Sequence, residues 1–346
     1  MEHLNPLFSL IHDYFLVFLP KEKNYSQNTI RAYRKALELL LDYTRQKLEI
    51  PLSEITFDLI DRQLLSDFLC YLEQDRNCSS LTRNHRLNCI RSFYKFAAQE
   101  DITVVRHYDE IQKVQPVKIA EKLVEHMSEG AIQSILNQPD TSTLLGKRDA
   151  FLMLFLYKTG ARVQELVDVR LSDIQLSSSP RVVLHGKGAK ARAIPLRDDV
   201  VQHLRKYLEV FHESESLYSD TTLFYVVRNG QKKRMTEQNV RVIVCKYGKM
   251  ARETNMEVPE RVHPHLFRHS WAMVLYQNGV DLTLISQWLG HANVETTLIY
   301  AHADTEIKRK ALEKAVPEDS PLKGYLDASR YQINDDELLK RLIGLK

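Results

Sequence analysis

Glycine is scarce in this chain, 11 among 346 residues, and no stretch is low in complexity. That argues against a glycine-rich nucleotide fold and against long disordered tails. Cysteine is scarcer still. Cys70, Cys78, Cys89 and Cys245 form no C-x-x-C pair, so they read as packing residues of a reduced, intracellular protein. No apolar run reaches the roughly 20 residues that a membrane-spanning helix needs. The apolar start PLFSLIHDYFLVFLP carries Asp13 and ends at Pro20; it lacks the basic region and cleavage site of a signal peptide and is read as a buried helix. A large excess of one charge is missing too: 48 Lys and Arg face 45 Asp and Glu, a formal net charge of +3. Such a balance does not by itself imply a nucleic-acid partner, so the placement of the basic residues has to decide. What remains is an ordinary soluble composition, 44% hydrophobic and 27% charged, on a chain long enough for two or three domains.

Residues 1–107 read as helices. In TIRAYRKALELLLDY, Ile30, Tyr33, Leu37, Leu40 and Leu41 recur at helical spacing behind a capping Ser26 or Asn28, while Arg31, Arg34 and Lys35 lie outside the stripe. SSLTRNHRLNCIRSFYKFAAQE repeats the design, with Leu87, Ile90, Phe93, Tyr94 and Ala97 on one side and Arg83, Arg86, Arg91 and Lys95 supplying charge. A single such basic face is usually just solvated; two in one domain point to a grip on a phosphate backbone. Arg31, Lys35, Arg83, Arg86 and Arg91 are therefore candidate DNA contacts. Weak periodicity around Pro116 places a linker at 111–125, between a helical domain of residues 1–110 and a second domain of 126–316.

The second domain begins helically near Ser128, and RDAFLMLFLYKTG is an apolar helix stopped by Gly160. RVVLH (181–185) and ARAIPL (191–196) flank GKGAK, a hairpin signal with Lys187 at or near the turn. TTLFYVV (221–227) is a candidate third strand. The rest reads as helical to about Ala315, and the tail, 317–346, ends in an amphipathic piece with Leu338, Leu339, Leu342 and Ile343 on one side. The fold class expected is mainly α with a small antiparallel β-sheet.

The residues able to carry chemistry are scattered: Arg162 after a helix break, Lys187 in the hairpin, His265 and Arg268 in HPHLFRHS, and His291 nine residues before Tyr300. The ordered series TGARVQEL, GKGAKAR, HPHLFRHS and LGHANVETTLIY resembles the tyrosine recombinase (phage integrase) family across residues 150–302, with SQNTIRAY and TRNHRLNCIRSFYKF resembling its helical core-binding, SAM-like domain more loosely. The resemblance implies an α+β catalytic domain that cuts and rejoins DNA through a 3′-phosphotyrosyl link. It implies that Arg162 and Arg268 hold the scissile phosphate, that Lys187 protonates the leaving 5′ oxygen, and that His265 is the base. His291 would hydrogen-bond the same phosphate, Tyr300 would be the nucleophile, and Glu165 would orient an arginine or histidine. Lys190 and Arg192, on the hairpin, could reach a DNA groove.

The chemistry suits these residue types. Guanidinium groups offer paired, permanently charged donors to phosphate oxygens, and preorganised donors of this kind are usually the largest catalytic term. A phenol attacks poorly until a base or nearby cations favour phenolate. The link keeps the energy of the broken bond, so resealing needs neither cofactor nor metal. His263, His265 and His269 also have a metal-like spacing, but no cysteine or acidic partner lies nearby and Arg268 would repel a cation; His269 is read as a core or supporting histidine, and His302 has no assignable role. The partners implied are double-stranded DNA and further copies of the chain, a dimer per site and a tetrameric synapse, in the cytoplasm at the nucleoid and away from membranes. Integration, excision, transposition and resolution all use this chemistry. The absence of a separate arm-binding domain and the length of the tail favour a mobile-element integrase or transposase. Rival readings are a relaxing type IB-like topoisomerase, a silent DNA-binding regulator and a metal-dependent phosphoesterase.

Overall fold

The computed structural model describes residues 5–119, 124–186, 190–291, 293–303, 309, 336–342 and 344, with the side chains of 302 and 303 excepted. The chain divides into two compact units, Met1–Glu121 and Lys122–Lys346.

The first unit is helical: α1 (Pro6–Asp13), continued as a π-helix through Tyr14–Glu22, then α2 (Gln27–Leu48), α3 (Arg62–Gln74), α4 (Ser80–Glu100) and α5 (Val105–Gln112). Local chemistry sets the helix starts. Ser26 accepts from the Thr29 N–H at 3.3 Å and Ser79 from the Thr82 N–H at 3.3 Å, each satisfying a donor that a helix N-terminus leaves orphaned. The apolar opening of the chain is buried, as expected: Leu7, Tyr14 and Leu19 are fully enclosed, and the Tyr14 hydroxyl donates to Ser92 Oγ at 2.9 Å. Ile111 and Val114, assigned to a linker from the sequence, belong to this core. The first unit therefore extends beyond residue 110.

The second unit contains α6 (Glu129–Leu136), α7 (Leu144–Thr159), α8 (Val163–Asp168), β1 (Ile174–Gln175), β2 (Arg181–His185), β3 (Ala191–Pro195), α9 (Asp198–Phe211), β4 (Tyr225–Arg228), β5 (Gln231–Arg234), α10 (Glu237–Arg252), α11 (Pro264–Gln277), α12 (Leu282–Leu289) and α13 (Glu295–Ala303). Strands β1, β2 and β3 form one antiparallel sheet in that order. The expected third strand is not part of it. Tyr225–Arg228 pairs instead with Gln231–Arg234 in a separate two-stranded ribbon, turned by Asn229 and Gly230 at φ 51° and 72°, the positive values that an Asn-Gly hairpin turn requires. β5 escaped detection because all four of its residues are exposed, so no alternation marks it. β1 is two residues long, too short for a pattern.

The core of this unit packs α7 against α9 and α11, around Phe151, Phe155, Leu156, Tyr207, Phe224, Leu266 and Phe267. A last helix, α14 (Asp336–Leu342), holds Leu338, Leu339 and Leu342 in exposed positions; Ile343 lies outside the described residues. All four cysteines are free thiols. Among the described residues no helix is long and apolar enough to cross a membrane.

Candidate active site

Helix ends build the site. α7 stops at Gly160, left-handed at φ 61°, where an added Cβ would sit 3.1 Å from Leu289 and 3.3 Å from Trp271. Two residues later Arg162 leads into α8. The Glu165 carboxylate, one turn in, accepts the Arg162 backbone N–H at 2.7 Å, holding the guanidinium at the mouth of the turn.

The end of α12 supplies the second half. The last carbonyls of a helix have no intrahelical donor and carry the negative end of its dipole. Here three successive ones each accept from a different arginine. Trp288 O accepts from Arg192 Nε at 2.7 Å, Leu289 O from Arg268 Nη2 at 2.5 Å, and Gly290 O from Arg162 Nη2 at 2.9 Å. Gly290 has φ 63°, and a Cβ there would lie 2.9 Å from Arg192 Nη1, so any other residue would be strained and would displace the Arg192 guanidinium. The backbone then delivers His291, whose Nδ1 is 2.9 Å from the hydroxyl of buried Thr297. Burial first, then the charges of Arg268 and Arg162, push His291 down to about 4. At neutral pH it faces the cluster as an uncharged ring.

Glu165 joins the two halves. Its side chain is 3% exposed, and each oxygen takes two donors. Oε1 accepts from Arg162 Nη1 (2.9 Å) and Arg192 Nη1 (2.7 Å); Oε2 accepts from the Arg162 backbone N–H (2.7 Å) and Arg192 Nη2 (2.7 Å). Burial alone would raise the carboxyl's pKa, but the donors from Arg192 and Arg162 together overrule it and hold the pKa below the usual range. The stabilisation is therefore present above the unfolded value of about 4.3 and is lost as pH falls through the lower folded value. Removing one partner of a buried pair costs about 3–5 kcal/mol, since the other charge is left behind. Arg192→Gln and Glu165→Gln should each lower stability on that scale in urea unfolding, and the double substitution should cost less than the two together. Strictly additive losses would show that the pair is not coupled.

The number of free donors separates the three arginines. A guanidinium has five N–H groups. Arg162 and Arg268 each have two engaged among the described residues, Arg268 through Gly160 O (2.7 Å) and Leu289 O, which leaves a fork of donors on each for an anion. Arg192 has its Nε and both Nη atoms engaged, and its side chain is 14% exposed. It holds the site together and is not turned toward a DNA groove, as its place in the hairpin had suggested. Arg268 is 3% exposed, and burial followed by the Arg162 charge pushes it down to about 9, so it is still a cation at neutral pH.

Tyr300 lies on α13, with no exposed surface, against Ala272, Met273, Ile285 and Leu289. Its hydroxyl is 2.9 Å from Nδ1 of His269. Burial pushes the phenol up to about 12, although the nearby Arg268 charge pulls the other way. His265 stands one helical turn before His269, with the ring centroids 6.4 Å apart; surrounding protein and then Arg268 lower its pKa. Sequence reading left His269 without a catalytic part. Its spacing of four from His265 on one helix, which puts both on a common face, was the signal available.

Lys187 lies outside the described residues. The feet of its hairpin are described: Leu184 pairs with Arg192, His185 with Ala191, and the Gly186 N–H donates to Lys190 O at 2.7 Å. Of the other DNA-contact candidates, Arg31, Lys35 and Lys190 are exposed, Lys35 being paired with Glu38 at 2.9 Å. Arg86 is half-buried, with Nη1 3.1 Å from Cys78 Sγ. Arg83 and Arg91, expected on the solvent side of their helix, are used within the fold. Arg83 is buried and paired with Glu73 at 3.3 Å, while Arg91 binds the carbonyls of Gln112 and Val114. Among the described residues no group of three or more His, Cys, Asp or Glu is placed to hold a metal ion.

Both units of the chain are similar to known proteins. Residues 125–306 match the phage integrase family, and residues 13–101 match the phage integrase N-terminal SAM-like domain. The integrase/recombinase-like protein y4rC of Sinorhizobium fredii is 32% identical over 343 residues, 98% of each chain. The tyrosine recombinase XerD of Staphylococcus epidermidis is 32% identical over 303 residues, 87% of this chain and 96% of the other. Among solved structures, the XerH site-specific recombinase bound to a palindromic difH substrate superposes with a TM-score of 0.67 at 21% identity, covering 90% of this chain and 89% of that one. The Tn1549 transposon integrase in complex with a circular intermediate DNA gives 0.66 at 18% identity, covering 90% and 99%.

Proposed function

This chain belongs to the phage integrase family, a family of tyrosine recombinases that cut and rejoin DNA, and we propose how its own residues divide that work. Arg162 and Arg268 grip the scissile phosphate with the donors left over from the α12 carbonyls, and neutral His291 adds a hydrogen bond. Tyr300 attacks the phosphorus. The O–P bond to the 5′ sugar oxygen breaks, leaving a 3′-phosphotyrosyl link, and Lys187 supplies the proton that the departing oxygen needs. A second 5′-hydroxyl reverses the step. Glu165 keeps Arg162 aimed, and Arg192 ties Glu165 to the end of α12. The observation that carries this reading is the set of three guanidiniums fixed to three consecutive carbonyls, beside a buried tyrosine that feels the Arg268 charge. Preorganised positive charge of this kind stabilises an oxyanion-rich transition state without reorganisation during the reaction.

The substrate in this reading is double-stranded DNA, with Arg31, Lys35 and Lys190 as exposed backbone contacts. Two protomers bind each site and four form the synapse, in the cytoplasm at the nucleoid. Integration or transposition of a mobile element is the favoured role. α14, with its three exposed leucines, is a candidate contact between subunits or onto its own domain. Relaxation of supercoils is the second reading, because the same nucleophile serves both; it needs one duplex where recombination needs two.

Incubation with nicked duplexes of candidate sites in the presence of a chelator tests the assignment. The expected result is a denaturation-resistant protein–DNA adduct that forms equally well with and without chelator. Loss of cleavage on chelation would favour a metal-dependent phosphoesterase and overturn the reading.

A further inference from the structure

A phenol with no exposed surface has no water to take its proton, yet it must lose that proton to attack phosphorus. Among the described residues the one hydrogen-bond partner of the Tyr300 hydroxyl is His269 Nδ1. From His269 the rings continue outward along α11. His265 lies 6.4 Å from His269, centroid to centroid, and His263 a further 6.4 Å from His265; both His265 and His263 are exposed. Spacing of this order between imidazoles leaves room for one bridging water at each gap. The three histidines thus form a file from the buried hydroxyl to solvent.

We propose that His269 is a catalytic residue, the first acceptor of the Tyr300 proton, and that His265 and His263 pass that proton to water. In the forward step the phenol O–H bond breaks and its proton goes to His269 Nδ1. The phenolic oxygen bonds to phosphorus, and the 5′ oxygen leaves with a proton from a separate acid. His269 then releases its proton through Nε2 toward His265. Rejoining runs the file in reverse, so the proton that leaves with cleavage returns with ligation.

The state of His269 suits an acceptor. Burial first, then His265 and Arg268, with His263 and His126, push it down to about 4, so at neutral pH its ring is uncharged and has a lone pair for the phenol. The groups facing it are His265 and Arg268 of α11, His263 at the N-cap of that helix, His126 from the segment before α6, and Tyr300 from α13. With the phenol near 12 and His269 near 4, the proton stays on oxygen in the DNA-free chain, which keeps the nucleophile silent. A phosphate held beside Arg268 offsets that cation and strengthens His269 as a base. A general base moves the proton as the new P–O bond forms, so free phenolate never has to accumulate.

This assignment rests on Tyr300 being the nucleophile. The test uses the full chain and a nicked duplex on which the parent protein forms its covalent adduct. His269→Ala should slow adduct formation by about 10²–10⁴-fold, the usual worth of a positioned base, with DNA affinity held within about threefold. Added 4-methylimidazole should restore at least about tenfold of the lost rate, because it returns a proton acceptor and not a fold. Should the alanine variant fail to fold, His269→Gln does the same work: it keeps a hydrogen bond to Tyr300 and cannot accept its proton. Parent-like cleavage by either variant would overturn the proposal. So would a loss that imidazole does not restore in a variant that binds DNA normally. If His265→Ala is rescued by imidazole and His269→Ala is not, His265 is the base and the reading of the site survives without this addition. If Tyr300→Phe still forms the adduct, the nucleophile itself was misassigned.

Discussion

Tyr300→Phe is expected to bind DNA as the parent chain does and to form no covalent adduct. The substitution removes one oxygen and leaves the ring in its pocket of Ala272, Met273, Ile285 and Leu289, so the packing that orders α13 stays. The hydrogen bond to His269 is lost, at a net cost of about 1 kcal/mol, too little to unfold a domain with a core this size. Chemistry has no such tolerance: without the phenol there is no atom to bond to phosphorus. Loss of adduct by about 10⁴-fold or more, the scale seen when an enzyme loses its nucleophile, should appear on denaturing gels, with mobility-shift binding intact. An adduct of normal yield would remove Tyr300 from the reaction and with it the file of histidines behind it.

Arg268→Lys should be nearly as damaging, for a different reason. Arg268 bridges the end of α7 and the end of α12 through Gly160 O and Leu289 O, using two of its five N–H donors. An ammonium keeps the charge but has three donors from a single point, so it cannot span both carbonyls and the phosphate in a planar fork. The expected loss is about 10²–10³ in cleavage rate, the worth of one oxyanion donor, with a stability loss of about 1–3 kcal/mol from whichever carbonyl is left unpaired. DNA affinity should change little, because one phosphate contact among many carries a small share of binding. Single-turnover cleavage measured beside equilibrium binding separates the two effects. Equal losses in both would mean that Arg268 serves the fold and not the transition state.

These two residues also show where reading the chain by itself succeeds. Serine caps at 26, 79 and 128 and the glycine stop at 160 act over three or four residues, and such signals are visible without a fold. The fully exposed strand 231–234 and the two-residue strand 174–175 carry no period, so only pairing with a neighbour made them strands. Helical spacing put Arg83 and Arg91 outside the apolar stripe, but Glu73 and the carbonyls of Gln112 and Val114 turn both arginines to the protein's own use. A stripe reports which side is apolar; it does not report whether a neighbouring element covers the other side.

The amino-acid order alone determined which side chains could do chemistry here: two arginines, a lysine, the histidines and a tyrosine, in the series that marks the family. Only the tertiary structure decided what the arginines among them hold. Arg192 finds Trp288 across 96 residues, Arg268 finds Gly160 across 108, and Arg162 finds Gly290 across 128. Bonds of that span depend on how α7, α12 and β3 pack, and packing is the sum of many weak contacts that no local pattern records. The same packing closed Tyr300 off from water and left His269 as its neighbour.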